Sequence, residues 1–112
     1  MNAIQPRGAD PIKASLSVRA ALKVLAGKWT LPILWLLGQG PQRYGDLRRG
    51  IPEISDKMLT QHLRDLVRDG LVEREEFPTR PPQVSYCFST YGRSLIPVLQ
   101  MLCAWGQVHV ER

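Results

Sequence analysis

The sequence predicts a mainly α-helical domain with a small β-hairpin, which is an α+β fold class. Apolar residues recur at helical spacing in several stretches of the chain. Two stretches of alternating residues flank a proline-rich turn nearer the carboxyl end, as expected for a hairpin. With 112 residues, 44% of them hydrophobic, the chain has the length and composition of one globular domain.

The amino-terminal residues 1–15 show no helical period and contain prolines and a glycine, so we expect a flexible arm there. Residues 16–112 are expected to form the folded domain. Ser17 is expected to cap the first helix, and Gly27 to end it.

A second, strongly apolar helix should begin near Lys28 or Trp29, because Pro32 is tolerated only within a first turn. The glycines and proline that follow end it. Residues 42–44 are expected to form a short strand, and residues 44–51 a short helix.

The helix predicted over 56–69 has the clearest boundaries. Ser55 is a favourable cap, and Gly70 is a natural residue to follow the last turn. The buried stripe is expected to contain Leu59, Leu63, Leu66 and Val67. The opposite side, which we call the reading face, carries Lys57, Thr60, Gln61, Arg64 and Arg68, with no acid among them, and Asp65 and Asp69 fall toward its flank.

Residues 71–77 and 83–89 are expected to pair as a hairpin around the turn that contains three prolines. A final helix should follow, capped by Ser89 or Thr90, with Pro97 either bending it or lying in an early turn. Two helices joined by a short turn, with a hairpin after the second, form the layout of a winged helix-turn-helix. The first and last helices are apolar beyond the needs of that core, so we expect them to form a dimer interface.

Charge and motifs limit the function. A net charge of +5 and a pI near 9.7 favour a polyanionic partner, of which nucleic acid is the commonest. No apolar run is long enough to span a membrane, and no secretory signal precedes the first helix, so a cytoplasmic location is expected. Phosphate-loop, dinucleotide, zinc-protease and serine-hydrolase motifs are absent, so we expect neither an enzyme nor a cofactor. Cys87 and Cys103 have no metal-ligand spacing, so we expect no metal site.

The reading face has the chemistry of a DNA major-groove reader. Gln pairs with adenine, Arg with guanine, and Thr contacts a base or the thymine methyl group. We therefore expect major-groove contacts from Lys57, Thr60, Gln61 and Arg64, although a solvated helix face has similar composition. The wing, residues 77–83, is expected to place Arg80 on the minor groove or the backbone. The other candidates for phosphate contacts are Lys28, Arg43, Tyr44 and Arg68.

The motifs GKWTLPIL, YGDLRRGIPEIS, KMLTQHLRDLVRDGLVER, PPQVSY and YGRSLIPVL together resemble the HxlR-type regulators. These are MarR-like winged-helix DNA-binding proteins of bacteria, and the resemblance covers roughly residues 16–106. It implies a homodimer whose first and last helices form the interface and whose two recognition helices, here 56–69, read a near-palindromic operator. Many relatives carry a cysteine just before the first helix that senses oxidants in some of them. The matching position here is Leu16, which departs from that pattern.

The sequence leaves four further points open. A winged helix can serve as a protein-interaction module, and a basic domain can bind nucleic acid without sequence preference. Cys103 is a candidate redox thiol because it lies on the apolar side of the last helix, near the expected interface. A small-molecule effector of unidentified chemistry is compatible with a pocket between the dimer helices.

Overall fold

The computed structural model describes residues 10–112, and it contains six α-helices and a three-stranded antiparallel sheet within that range. In chain order the elements are α1 (Pro11–Leu25), α2 (Thr30–Leu37), β1 (Gln42–Arg43), α3 (Tyr44–Gly50), α4 (Asp56–Arg68), β2 (Val72–Phe77), β3 (Gln83–Phe88), α5 (Thr90–Arg93) and α6 (Leu95–Glu111). This arrangement confirms the predicted α+β class.

The hydrophobic core lies where α2, α3 and α4 meet the base of the sheet. Ile33 and Leu34 of α2 are completely buried, as is Leu47 of α3. From α4, the residues Leu59, Leu63 and Leu66 point into the same core. The helix-turn-helix therefore forms around α2, whose apolar character on nearly all sides suits a central position.

The predicted start of the first helix was wrong. Helix α1 begins at Pro11, and the Asp10 side chain caps it by accepting hydrogen bonds from the backbone N–H groups of Ile12 (2.9 Å) and Lys13 (3.4 Å). Proline is favoured at a first helical position because its missing N–H has no partner there anyway. Ser17 is therefore inside the helix rather than at its cap, and residues 11–15 of the expected arm are helical. Residues 1–9 lie outside the described residues.

Helix α4 has the predicted boundaries. The Ser55 hydroxyl accepts a hydrogen bond from the backbone N–H of Met58 (3.1 Å), and Gly70 adopts φ of +78° just after the last turn. Glycine reaches this left-handed conformation without a side-chain clash. Val67 was expected in the buried stripe but is 36% exposed, since it lines a concavity between α4 and the sheet.

The wing is the tip of the hairpin that β2 and β3 form, and the short strand β1 extends the sheet beside β3. In the antiparallel register Val72 lies opposite Phe88, Arg74 opposite Tyr86, and Phe77 opposite Gln83. Paired residues share a face, so Arg74 and Tyr86 lie on the same face as the buried pair Val72 and Phe88. That face is directed toward α4.

The predicted final helix is two helices. The Ser89 hydroxyl accepts from the N–H of Gly92 (2.9 Å) and caps the short α5, and a new helix, α6, starts at Leu95. Pro97 thus falls in the first turn of α6, one of the two positions expected for it. The Ser89 hydroxyl donates to the carbonyl of Gly70 (2.6 Å), and this contact holds α5 against the start of β2.

Helices α1 and α6 carry large apolar side chains that the rest of the chain does not cover. On α6 the exposed set is Val98, Met101, Leu102, Trp105, Val108 and Val110, and on α1 it includes Ile12, Leu16, Val18 and Leu22. Within residues 10–112 no single helix is long and apolar enough to cross a membrane. Helices α1 and α2 reach the required length and apolar character only when taken together, and an 84° bend separates them.

Candidate nucleic-acid interface

The reading face of α4 points away from the core. Lys57, Gln61, Arg64 and Arg68 are exposed, and Thr60 is half-buried. Within residues 10–112, neither Lys57 nor Arg64 has a hydrogen-bond or ion-pair partner. Both side chains can therefore contact a ligand without first losing a partner within these residues, as the predicted major-groove contacts require.

The amino-terminal end of α4 is tied to α3. The Tyr44 hydroxyl donates to Oδ1 of Asp56 (2.7 Å), and Nε of Arg48 lies 3.1 Å from the same oxygen. The Arg48 guanidinium also donates to the carbonyl of Ile54 in the connecting turn. Burial, followed by the hydrogen bond to Asp56, raises the pKa of Tyr44 above its ordinary value. These contacts fix the two helices of the helix-turn-helix relative to one another.

The hydrogen bond to Asp56 limits what Tyr44, which was predicted to contact a phosphate, can still donate. Its hydroxyl hydrogen is already donated to Asp56, so a phosphate contact has to share or replace that bond. Arg48 was not predicted, because its partner Asp56 is not a near neighbour in the chain. The phosphate contact of Tyr44 stays a prediction.

An acid at the flank of the reading face contacts two of its members. Oδ1 of Asp65 accepts a hydrogen bond from Nε2 of Gln61 (3.0 Å) and lies 3.1 Å from the guanidinium of Arg68. The same Arg68 approaches Asp69 at 3.6 Å. Helical spacing brings Asp65 close to both Gln61 and Arg68, since residues three or four apart are neighbours on one helix surface, whereas Asp69 directly follows Arg68 in the chain. Arg68 is therefore partly neutralised, unlike Arg64.

A concave surface of about 510 Å³ lies between α4 and the sheet. Its lining comprises Thr60, Leu63, Arg64, Val67, Arg68, Arg74 and Tyr86. Arg74 is a second cation that the sequence did not predict, after Arg48. The neighbouring Tyr86 and, next, Glu76 raise the pKa of Arg74, and its guanidinium donates a hydrogen bond to Oε1 of Glu76 (3.1 Å).

The wing tip is held by short contacts. Thr79 donates from its hydroxyl to the carbonyl of Pro81 (2.8 Å) and from its N–H to the carbonyl of Phe77 (2.8 Å). Arg80 lies at this tip and is exposed. The tip thus presents a cation on a backbone with few accessible conformations, because the prolines on both sides of Arg80 restrict it.

The other two predicted phosphate contacts lie at helix ends. Nζ of Lys28 is 4.7 Å from the centre of the Trp29 ring, in a cation–π contact beside the start of α2. The backbone N–H of Arg43 donates to Oδ2 of Asp46 (2.8 Å). That hydrogen bond, and next the pairing with Arg49, lowers the pKa of Asp46.

The two cysteines lie away from this surface. Cys103 is exposed on α6 and lines an apolar groove of about 490 Å³ with Leu22 of α1 and Trp35 of α2, whereas Cys87 is half-buried in β3. Leu16 lies within α1 and is exposed. A redox role for Cys103 and an effector in the groove stay predictions. No cluster of metal-ligating side chains occurs in the described part of the chain.

A family model described as HxlR-like helix-turn-helix matches residues 24–112. The chain belongs to this family. The HxlR-like chain is 48% identical over 100 residues to an uncharacterized HTH-type transcriptional regulator, YtcD, from Bacillus subtilis (strain 168). That alignment covers 89% of this chain and 79% of YtcD.

Solved structures agree with the family membership. A MarR-family transcriptional regulator from Enterococcus faecalis V583 has a TM-score of 0.81 at 35% identity, over 96% of each chain. The redox regulator HypR in its reduced form has a TM-score of 0.78 at 36% identity, over 82% of this HxlR-like chain and 91% of HypR. The predicted winged helix-turn-helix is confirmed. This HxlR-like protein is a transcriptional regulator, and its relatives are regulators and not enzymes.

Proposed function

We propose that this chain is a sequence-specific transcriptional regulator that binds a near-palindromic operator in double-stranded DNA as a homodimer. The observation that carries the proposal is the reading face of α4. It combines cations with an amide and a hydroxyl, and Lys57 and Arg64 on it have no partner within residues 10–112. A recognition helix needs this mixture, because phosphate contacts supply affinity while amide, hydroxyl and guanidinium groups distinguish bases.

In the proposed complex, α4 enters the major groove with Lys57, Thr60, Gln61 and Arg64 toward the base edges. The wing follows the adjacent backbone or minor groove through Arg80. Arg74 is added to the phosphate-binding set, because it lines the same concave surface as Arg64 and Arg68. Lys28, Arg43 and Tyr44 remain proposed backbone contacts at the edge of the site.

The homodimer is supported by the uncovered apolar side chains of α1 and α6. Soluble monomers rarely expose a continuous apolar patch of this kind. A two-fold pair of chains would present two recognition helices, and the spacing of the half-sites would then follow from the dimer geometry. The cell's DNA in the cytoplasm is the partner that the family implies.

Selection from fragmented genomic DNA tests the proposal. We expect the retained fragments to share a near-palindromic site that the protein binds about 10³-fold or more tightly than scrambled DNA. Equal and salt-sensitive binding to both DNAs would identify a nonspecific binder. Absence of binding at low salt would favour a protein-interaction module.

Gln61→Ala is expected to weaken operator binding by about 1–3 kcal/mol, with little change on scrambled DNA, because an amide contact to a base is lost while the net charge is unchanged. Competition titrations with the two DNAs measure both values. An equal loss on both DNAs would remove Gln61 from base reading. Arg64→Ala serves as the comparison, since it removes a base contact and also a charge, and scrambled-DNA affinity should fall as well.

Arg80→Ala is expected to weaken binding to operator and scrambled DNA alike, because a wing cation on the backbone does not distinguish bases. The slope of log affinity against log salt should become shallower by about one unit. Titrations at several salt concentrations give this slope. A loss confined to the operator would assign Arg80 to base reading instead.

A further inference from the structure

Asp65 is an acid in a position that DNA binding disfavours. It flanks the reading face, and its carboxylate contacts Gln61 at 3.0 Å and Arg68 at 3.1 Å. A negative charge close to a phosphate backbone lowers affinity for any DNA sequence. Pairs between exposed side chains on one helix contribute little to stability, so folding gives no strong reason for this acid.

The contact with Gln61 has a specific consequence for the amide. A glutamine amide has two N–H donors and one carbonyl acceptor. The bond to Asp65 uses one N–H, and it leaves the second N–H and Oε1 free. Adenine in the major groove requires one donor for N7 and one acceptor for N6–H, which are the two groups that remain.

A free glutamine side chain distributes over several rotamers and loses that freedom on binding. A side chain already held in one rotamer loses less, so more of its contact energy appears as binding. The carboxylate also fixes the orientation of the amide, because only the Nε2 end of the amide can donate to it.

We propose that Asp65 is a positioning residue for base reading: it holds the Gln61 amide so that one donor and one acceptor face an adenine, at the cost of weaker binding to DNA in general. This proposal rests on the proposed function of the chain as a sequence-specific DNA binder. It predicts that Asp65 affects discrimination and general affinity in opposite directions.

The test compares Asp65→Ala with Asp69→Ala. Both variants remove one negative charge beside Arg68, and Asp69 has no contact with Gln61 within the described residues. Both should bind scrambled DNA a few-fold more tightly. The lost charge should act equally on operator and scrambled DNA, so it leaves the ratio of the two affinities unchanged in Asp69→Ala. Asp65→Ala alone should lower that ratio, by about tenfold, with relaxed preference at one A·T pair of the half-site. Asp65→Asn keeps an acceptor of the same shape, so it should retain more discrimination than Asp65→Ala.

A double-mutant cycle with Gln61→Ala isolates the contact. In the Gln61→Ala background, Asp65→Ala should cause no further loss of discrimination, because the amide that it positions is gone. Thermal unfolding of each variant separates a loss of stability from a loss of DNA discrimination. Additive losses, or equal discrimination in Asp65→Ala and Asp69→Ala, would overturn the positioning role. If the parent protein itself does not discriminate, the proposed function fails and not this inference alone.

Discussion

Trp105→Glu is expected to produce a folded monomer that binds the operator about 10²-fold or more weakly than the parent protein. Trp105 is 68% exposed on α6, in line with Met101, Leu102 and Val108 on the uncovered apolar stripe. A carboxylate at the centre of an apolar interface has to lose its hydration without a partner, which is costly. Two half-sites would then be bound by independent monomers, and the gain from joining them would be lost.

Sedimentation at micromolar concentration and an operator titration measure the two effects. Tyr91→Glu is the matched control, because Tyr91 is an aromatic residue of α5 with nearly the same exposure, 67%, and lies outside the stripe. The control should stay dimeric. A Trp105→Glu protein that remains a dimer with unchanged affinity would contradict the proposed interface.

Gly92→Ala is expected to destabilise the fold by about 3 kcal/mol or more, because the backbone of α5 passes too close to β2 for any side chain. A Cβ atom on Gly92 would lie 2.0 Å from the carbonyl oxygen of Leu71 and 2.9 Å from the Phe88 ring. The Leu71 carbonyl is backbone that also accepts a hydrogen bond from the N–H of Ser89 (3.0 Å). Relief of the clash would therefore have to break the contact between α5 and the sheet.

Chemical denaturation of the variant gives the change in the free energy of unfolding. Gly45→Ala is the control, since its Cβ would meet only the end of the Arg49 side chain, at 3.3 Å, which can move. We expect the control to change stability by less than about 1 kcal/mol. If Gly92→Ala is equally harmless, α5 must be able to shift away from β2.

Local signals in the sequence predicted much of this fold. The Ser55 cap, the apolar stripe over Leu59, Leu63 and Leu66, and the break at Gly70 act within a few residues of one another, so the boundaries of α4 were predictable. The alternation of β3 and the prolines before it located the wing in the same way.

The errors arose where two local signals competed or where the partner is distant in sequence. Asp10 and Ser17 are both acceptable caps, and the choice depends on Pro11, which suits a first turn after Asp10. The close packing of Gly92 in α5 against the Leu71 carbonyl is of the second kind, because only the hairpin brings these residues together.

The reading face was predictable as a set, but its internal contacts were not. Helical periodicity placed Gln61 and Arg68 on one side, yet it could not show that the Asp65 carboxylate reaches both of them. Arg74 was missed because its place beside α4 follows from the pairing of β2 with β3, opposite Tyr86.

The two sides of α4 serve separate purposes, and this bears on how such a protein diversifies. Its leucines are committed to the core, whereas Lys57, Gln61 and Arg64 are exposed and contribute little to folding. Substitutions at the exposed positions are nearly neutral for stability, so a duplicated copy can acquire a new target sequence without first losing its fold. The same separation makes α4 a practical helix on which to engineer altered operator preference.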